Sequence, residues 1–145
     1  MKILSKNKRA FFDYGIKENF TAGLVLSGAE VKSVKQGNVS LAGSYATVSP
    51  SGANLINCHI GPYKYSPNDS YDPLRTRKLL LTKEEIKKLI GKEKGLVIIP
   101  LEIFTTGKKG LVKLKLGLAR ARKKQDKREY IKSREAKKEI RSLLG

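Results

Sequence analysis

The 145-residue sequence predicts a mostly β protein: a small closed antiparallel β-barrel with two to three helices and a basic C-terminal tail. Three observations predict it. Apolar and polar residues alternate along several short segments, which is typical of strands with one buried face. Two other segments have the spacing of helices with recognisable ends. The last 27 residues carry 11 lysines and arginines against only four carboxylates.

The N-terminal half supplies the first strands. Residues 8–26 and 38–48 are rich in aromatic and β-branched residues, so each segment predicts a strand. One alternating face of the second strand contains Val39, Leu41, Tyr45 and Thr47. Turn-forming residues follow at 49–52, and residues 55–60 alternate again, with Ile56, Cys58 and Ile60 on one face. A hairpin is therefore expected here.

The C-terminal half predicts a second hairpin. Val97, Ile99, Leu101 and Ile103 form one alternating face, and the glycine-bounded segment 107–110 is a turn. The strand after it alternates Val112, Leu114, Leu116 and Leu118 with Lys113, Lys115 and Gly117. This last strand has one apolar face and one basic face.

Two helices interrupt the strands. Thr82 and Glu85 form a capping box, Leu81 and Ile86 can pack as a hydrophobic staple, and Gly91 ends the helix. A shorter helix is expected over 29–36, ending at Gly37. There Val31 and Val34 would face the core, while the polar residues Glu30, Lys32, Ser33, Lys35 and Gln36 would face solvent.

Five or six short antiparallel strands with two helices favour a small closed barrel, of which the OB fold is the best-known instance. An open α+β sandwich fits almost as well. We expect the barrel to span residues 1–120. Residues 61–76 contain three prolines and three tyrosines and read as a long loop, which is usually functional or disordered.

The basic tail, residues 121–145, contains a possible third helix. Asp126 and Glu129 repeat the capping pattern, but Arg128 and Lys132 place like charges one helical turn apart. We therefore expect the tail to be disordered alone and to become helical when it binds a partner.

Charge indicates the class of partner. The formal net charge is +18 and the isoelectric point is near 10.1, so nucleic acid is the first candidate. A single cysteine, Cys58, excludes an internal disulfide and fits a reducing compartment. The first eight residues lack the apolar region of a signal peptide, and no segment has the ~20 apolar residues of a membrane span. A cytoplasmic protein is expected.

Enzymatic function has little support in the sequence. His59 is the only histidine and has no partner at the spacing of a metal site or a catalytic triad. Glu84 and Glu85 are adjacent on a helix and point apart, and a glycine-rich phosphate loop is absent from the sequence. A metal-dependent nuclease needs clustered carboxylates, which Asp13, Asp69, Asp72 and Asp126 do not provide by spacing. We expect no catalytic residue, metal or cofactor.

The basic clusters are more informative. Arg75, Arg77 and Lys78 lead directly into three leucines, a position from which arginines can grip phosphates, although a solvated charge run is the alternative. A second group precedes Phe11 and Phe12. Its members are Asn7, Lys8 and Arg9. Together with Lys32 and Lys35 they can line one face of the protein.

Four strings of the sequence resemble one family. They are AGLVLSGAEVKSVKQG, NVSLAGSY, RTRKLLLTKEEIKKLIG and, at 126–129, DKRE. In this order they resemble the SmpB family of tmRNA-binding proteins in bacterial trans-translation, from about Asn7 into the tail. The resemblance implies an OB-like barrel that binds the tRNA-like domain of tmRNA and, with elongation factor Tu, delivers it to stalled ribosomes. The tail then becomes helical on the ribosome and probes the empty mRNA channel below the decoding centre.

The resemblance also implies site residues. The RNA-binding residues would be Asn7, Lys8, Arg9, Glu30, Lys32, Arg75, Arg77 and Lys78. Glu30 would accept hydrogen bonds from base amino groups or orient a cation such as Lys32. Without the resemblance, its position predicts only a surface charge on a helix. The ribosome-contacting tail residues would be Arg122, Lys123, Lys124, Gln125, Asp126, Lys127, Arg128 and Tyr130.

The tail departs from the family pattern at two positions. Ala121 stands where glycine is usual, and Gln125 stands where histidine or an aromatic residue is common. An aromatic residue can stack on a base of ribosomal RNA, which stabilises binding by roughly 1–3 kcal/mol, whereas glutamine stacks weakly. Tyr130 is a candidate replacement. A monomer is expected, and a basic ribosomal protein with a tail is the alternative function.

Overall fold

The computed structural model describes residues 2–66 and 68–144, with side chains up to Lys138 apart from Pro67. Nine strands and four helices are present in the described residues. In chain order they are β1 Lys2–Lys6, α1 Lys8–Asp13, β2 Tyr14–Leu24, α2 Gly28–Lys35, β3 Val39–Ser40, β4 Tyr45–Ser49, β5 Gly52–Ile56, β6 His59–Ile60, β7 Arg77–Leu80, α3 Lys83–Ile90, β8 Leu96–Thr106, β9 Leu111–Ala121 and α4 Lys124–Leu144.

The strands form one large antiparallel sheet, which confirms the mostly β class. Its order is β1-β8-β9-β2-β7-β5-β4, and β3 pairs with β6 in a separate small sheet. The prediction of a closed barrel is not confirmed, because the large sheet ends at two edge strands, β1 and β4. It curls instead, so that β4 and residues 96–99 of β8 line one cleft of about 610 Å³.

The concave face of the sheet and two helices enclose the core. Leu55, Leu114 and Leu116 from the sheet pack in one cluster with Val34 of α2 and Leu89 of α3, and all five are fully buried. Burial of each leucine side chain contributes about 1.5–3 kcal/mol. The two helices are thereby fixed against the sheet.

The strand predicted over 8–26 is partly wrong, because its first residues form α1. Asn7 caps this helix: its Oδ1 accepts from the Ala10 amide at 3.3 Å, while its Nδ2 donates to the Pro100 carbonyl at 3.0 Å. The Asn7 amide also donates to Leu101 O at 2.8 Å. The contacts with Pro100 and Leu101 span over 90 residues, so local strand propensity does not reveal them.

The strand predicted over 38–48 is divided by a turn. Gly43 has φ of +74°, and the Ser44 amide donates to Leu41 O at 3.0 Å. The turn shifts the alternation, so Tyr45 and Thr47 are exposed while Ala46 and Val48 face the core. Their predicted face is therefore wrong.

In the second half of that hairpin the alternation of buried and exposed residues is also interrupted. β4 and β5 pair across Ser49 and Gly52, as predicted. Asn57 then adopts φ of +60°, a left-handed conformation that asparagine tolerates, and this separates β5 from β6. Leu55 is buried before it, and Cys58 and Ile60 are buried after it, so strict alternation over 55–60 does not hold.

The C-terminal hairpin is confirmed. β8 and β9 pair on either side of the predicted turn, from Leu96 opposite Arg120 to Thr106 opposite Leu111. Leu114, Leu116 and Leu118 are buried on one face of β9. Val97 is exposed, contrary to prediction. The register of β8 shifts between Pro100 and Glu102, so one alternating pattern does not describe the whole strand.

The helix starting after Thr82 is confirmed, with its capping box and its end at Gly91. The Glu85 amide donates to Thr82 Oγ1 at 3.1 Å, the Thr82 amide donates to Glu85 Oε1 at 3.0 Å, and Gly91 is the C-cap. α2 is close to its predicted bounds and buries Val34. Glu30 and Ser33 are buried as well, which contradicts their predicted solvent face.

The tail contains α4, which begins at Lys124, two residues before the predicted cap residue Asp126. The prediction that this segment is disordered in the isolated protein stays a prediction, as do the domain bounds 1–120 and 121–145. None of the helices within the described ranges has the length and apolar character that crossing a membrane requires.

Candidate nucleic-acid interface

Glu30 occupies a fixed position at the start of α2. Ser27 caps the helix: the Glu30 amide donates to Ser27 Oγ at 3.2 Å, and the Ser27 amide donates to Glu30 Oε1 at 3.0 Å. The pattern S-x-x-E is the signature of this reciprocal cap. The cap orients the Glu30 carboxylate toward β7 and the 61–76 loop.

Three side chains from that side converge on the carboxylate. Arg75 donates from Nε to Oε2 at 3.1 Å and from Nη2 to Oε1, a bidentate pair. Arg77 Nε donates to Oε2 at 2.7 Å, and the Tyr71 hydroxyl donates to Oε2 at 3.1 Å. We call Glu30, Tyr71, Arg75 and Arg77 the Glu30 cluster. It contains one carboxylate and two guanidinium groups, so it carries a net positive charge.

Arg77 is the more deeply buried of the two arginines. Its side chain has no exposed area. Its guanidinium also donates to Cys58 O at 2.6 Å, to the Tyr71 hydroxyl at 2.9 Å and to Pro73 O at 3.0 Å. The expectation that Arg77 grips phosphate does not fit this geometry. Its donors instead connect Glu30 of α2 with Tyr71 and Pro73, in the second half of the 61–76 loop, and with Cys58, which precedes the loop.

Electrostatics in the cluster favour the ionised carboxylate. Burial alone would raise the pKa of Glu30, but hydrogen bonds from Arg75, the Ser27 amide and Arg77 outweigh it and lower the pKa to about 2. Burial raises the pKa of Tyr71 and raises that of the Cys58 thiol to about 11. Glu30 is therefore charged, and the other two groups are neutral, at neutral pH.

Basic and aromatic side chains are exposed beside the cluster. Arg75 keeps 38% of its side chain exposed. The Lys32 ammonium lies 5.5 Å from the centre of the Tyr63 ring, and Tyr63 meets the exposed Tyr65 edge to face at 5.5 Å. Aromatic rings beside cations can stack unpaired bases while the cations contact phosphates. This surface has the chemistry of a single-stranded RNA site.

Comparison with known proteins identifies the family. The model of the family described as "SmpB protein" matches residues 4–145. The chain belongs to the SmpB family. The SsrA-binding protein of Thermoanaerobacter pseudethanolicus is 49% identical over 97% of this chain and 90% of the relative. That of Geobacillus kaustophilus is 48% identical over 96% of this chain and 90% of the relative.

A solved structure is also similar to this SmpB-family chain. It is described as "tmRNA-SmpB: a journey to the center of the bacterial ribosome". The TM-score is 0.67 at 40% sequence identity, and the match covers 88% of this chain and 93% of the other. Fold and sequence therefore point to the same family.

The remaining predicted RNA-binding residues do not join the Glu30 cluster. Asn7 is buried as the cap of α1, whereas Lys8 and Arg9 are exposed, with Arg9 paired to Asp13 at 3.0 Å. α1 packs against β2, β8 and α4, away from the elements that build the cluster. Lys78 is exposed on β7, on the opposite face from Arg77.

The predicted tail residues lie at the end of β9 and along α4. Asp126 Oδ2 accepts from the Lys123 amide at 3.2 Å, so Asp126 lies in the first turn of α4 and not at the cap position that the predicted Asp126–Glu129 pattern assigns to it. Gln125 and Arg128 are exposed, as are Lys123 and Lys124. Arg122, Lys127 and Tyr130 instead contact α1 or its neighbours. Within the described residues, metal-ligating side chains do not form a cluster of three or more.

Sequence reasoning missed two residues of the site. Ser27 had a readable signal, because S-G-A-E matches the same capping pattern that predicts the helix after Thr82. Tyr71 had none that distinguished it from Tyr63 and Tyr65 in the same loop. Its position depends on Ile60 O, at 2.8 Å from its hydroxyl, and on Glu30 Oε2, 41 residues away, and these two acceptors share the single hydrogen of the hydroxyl.

Proposed function

We propose that this chain is a non-enzymatic RNA-binding adaptor that binds the tRNA-like domain of tmRNA and delivers it to stalled ribosomes in trans-translation. Membership of the SmpB family, an RNA-binding adaptor family, supports it. The similar relatives are named SsrA-binding proteins, and the similar solved structure is described as tmRNA-SmpB in the bacterial ribosome.

The single observation that carries the proposal is the Glu30 cluster. A buried carboxylate holds Arg75 bidentately, so the exposed part of this arginine has a fixed direction. Fixing a cation in advance reduces the entropy cost of binding a phosphate. The site is preorganised for a polyanion, and its charge remains positive after the ion pairs form.

The cluster divides the predicted RNA-binding residues into two roles. Glu30 and Arg77 are positioning residues, because both side chains are almost fully enclosed and satisfied by protein groups. Exposed cations make the direct contacts with RNA, and bases of the tRNA-like domain stack on Tyr65. The proposed contact residues are Lys8, Arg9, Lys32, Arg75 and Lys78. Asn7 acts indirectly by holding α1.

Delivery involves further partners. The tail, residues 121–145, contacts ribosomal RNA in the empty mRNA channel near the decoding centre, and elongation factor Tu joins the delivery complex. The protein acts as a monomer in the cytoplasm. The net charge of +18 supports RNA contacts at both ends of the molecule.

Removal of the tail tests this division of labour. A variant that ends at Gln125 is expected to bind the tRNA-like domain within about threefold of the full chain, since the Glu30 cluster lies outside the tail. Tagging of stalled peptides is expected to be lost. Binding is measured by fluorescence anisotropy and tagging in a reconstituted translation reaction. Equal tagging by the truncated and full chains would contradict the role of the tail.

Salt dependence locates the RNA contacts. Removing one phosphate-binding cation is expected to reduce the slope of log K against log salt by about 0.7–0.9. Lys78→Gln should show this reduction, whereas Lys83→Gln, which removes another exposed lysine, on α3, should not. Identical slopes for the two variants would remove Lys78 from the interface.

A basic ribosomal protein is the second candidate, because the tail and the high positive charge fit it equally. Sedimentation separates the two. A ribosomal protein stays on ribosomes stoichiometrically through a high-salt wash, whereas an adaptor is released.

A further inference from the structure

A groove lies between α3 and the turn that joins β4 to β5. Its volume is about 440 Å³, and the residues that line it are Pro50, Lys83, Ile86, Lys87, Ile90 and Gly91. Ligand pockets in proteins typically have volumes of about 300–1,000 Å³. The groove is therefore large enough to receive side chains of another molecule.

The floor of this groove is aliphatic. Leu89 is fully buried in the core and fixes one side of α3, so the helix presents Ile86 and Ile90 along the groove. Ile90 is 44% exposed, Ile86 is partly buried, and Pro50 of the turn is exposed. Single exposed apolar side chains are normal, whereas several that line one concave surface are typical of an interaction site.

Two lysines flank the floor. Lys83 and Lys87 both line the groove and are exposed. They are four residues apart on α3, a spacing that brings like charges together and destabilises a helix. Among the side chains that the structure describes, neither forms an ion pair, whereas the neighbouring Lys88 is paired with Glu18. The two lysines of the groove are therefore available to carboxylates of a partner.

The carboxylates nearest along the chain do not neutralise the groove. Glu85 accepts from the Thr82 amide in the capping box. Glu93 is paired with Arg120 at 3.5 Å. Glu84 is exposed and is not one of the residues that line the groove. The groove therefore combines an aliphatic floor with a positive rim.

This combination favours an acidic protein segment over other occupants. RNA would satisfy the lysines, but unpaired bases stack on aromatic rings, and the described residues that line the groove are not aromatic. A second copy of this chain would bring a net charge of +18 to a rim that is already positive. An acidic segment with aliphatic side chains matches both the floor and the rim, as in recognition of an amphipathic helix by an apolar groove.

We propose that the groove between α3 and the β4–β5 turn binds an acidic segment of a protein partner. Aliphatic side chains of the segment pack on Ile86 and Ile90, and its carboxylates pair with Lys83 and Lys87. This goes beyond the proposed function, because it gives the RNA-binding adaptor a separate protein-binding surface. The groove and the Glu30 cluster have no residue in common, so the protein segment and RNA bind at different sites.

Fluorescence anisotropy of labelled synthetic peptides, titrated with the full chain, tests the proposal. The probe is a peptide of glutamates with two leucines one helical turn apart, and a peptide with serines in place of the leucines is its charge-matched control. The leucine peptide is expected to bind more tightly. Ile90→Asn should weaken its binding by about three- to tenfold and leave the serine peptide unaffected. Ile131→Asn is the matched variant, because Ile131 is 41% exposed on a different helix, and it should have no effect.

Charge reversal separates the groove from the overall positive charge. Lys83→Glu combined with Lys87→Glu should weaken binding of the leucine peptide by about tenfold or more. The control is Lys108→Glu combined with Lys109→Glu, which changes the net charge by the same amount at exposed positions of the β8–β9 turn. It should weaken binding by less than about threefold, because charges distant from the groove are screened by salt.

Equal binding of the two peptides, or equal weakening by the two charge reversals, would overturn the proposal, because the chain would then recognise net charge alone. Binding of the tRNA-like domain that is weaker after reversal at Lys83 and Lys87 than after reversal at Lys108 and Lys109 would assign the groove to RNA and also overturn it. Ile90→Asn should bind the tRNA-like domain as the wild-type chain does, which shows that the variant is folded and keeps this test independent of the proposed function. The lysine variants keep the aliphatic floor and test the proposal separately from the stability of Ile90→Asn.

Discussion

The Glu30 cluster and the tail helix use the same residue types for opposite purposes. In the cluster, one carboxylate and two arginines are largely withdrawn from water, and almost every donor has a protein partner. Along the tail as far as Lys138, most lysines, arginines and glutamates are exposed, and within this described part only the first turns contact α1 and its neighbours. The difference is burial: buried charges must be paired, whereas exposed charges remain available for a polyanion.

The largest expected effect is on the cluster. Glu30→Gln keeps the shape of the side chain but removes the charge that compensates Arg77, which has no exposed area. Breaking a buried pair in this way is expected to cost about 3–5 kcal/mol of unfolding free energy, measured by urea denaturation. Binding of the tRNA-like domain should weaken as well, because Arg75 loses its fixed direction.

The control is Glu84→Gln on α3. Glu84 is exposed and outside the capping box, so its replacement should change the unfolding free energy by no more than about 0.5 kcal/mol. If the two substitutions change the unfolding free energy by the same amount, the Glu30 cluster contributes no more to stability than exposed charges do. The contrast between the cluster and the tail would then be wrong.

The sequence predicts contacts between residues that are close along the chain and misses those between residues that are far apart. The α3 cap involves residues three positions apart and is predicted in full, as is the turn between β8 and β9. Burial of Glu30 depends on Arg75 and Arg77, 45 and 47 residues away, so the pattern of α2 alone places Glu30 on the solvent face. The hypothesis that Glu30 orients a neighbouring cation such as Lys32 differs from the structure in its partner, since Glu30 binds these two arginines.

The second effect is the pH dependence of stability. The pKa of Glu30 is about 2 in the folded protein, against an ordinary value of 4.5. Because the folded pKa is depressed, the stabilisation is complete above about pH 4.5 and is lost as the pH falls toward 2. The loss attributable to Glu30 is about 3 kcal/mol.

Comparison of wild type with Glu30→Gln isolates this contribution, since other carboxylates titrate in both proteins. The difference in unfolding free energy should shrink as the pH is lowered from 5 toward 2. A difference that stays constant across that range would show that Glu30 is not held ionised by the arginines. Asp126, Glu129 and Glu135 of the tail are exposed and are present in both proteins, so they should not contribute to this difference.

The smallest expected effect is on the tail. Asp126 accepts from the Lys123 amide at the start of α4 and also interacts favourably with the N-terminal end of the helix dipole. Asp126→Ala is expected to destabilise α4 by about 0.5–1 kcal/mol. Hydrogen exchange should show this as faster exchange of the amides of 127–133, while the unfolding free energy of the sheet stays unchanged.

Glu135→Gln is the matched control, because it removes one exposed carboxylate of α4 that lies outside the first turn. It should leave those amides unaffected. If Asp126→Ala lowered the global stability as much as Glu30→Gln, the tail helix would be part of the cooperative core and the contrast between the two regions would not hold. If it had no effect on exchange, the contact between Asp126 and the Lys123 amide would not stabilise the first turns of α4.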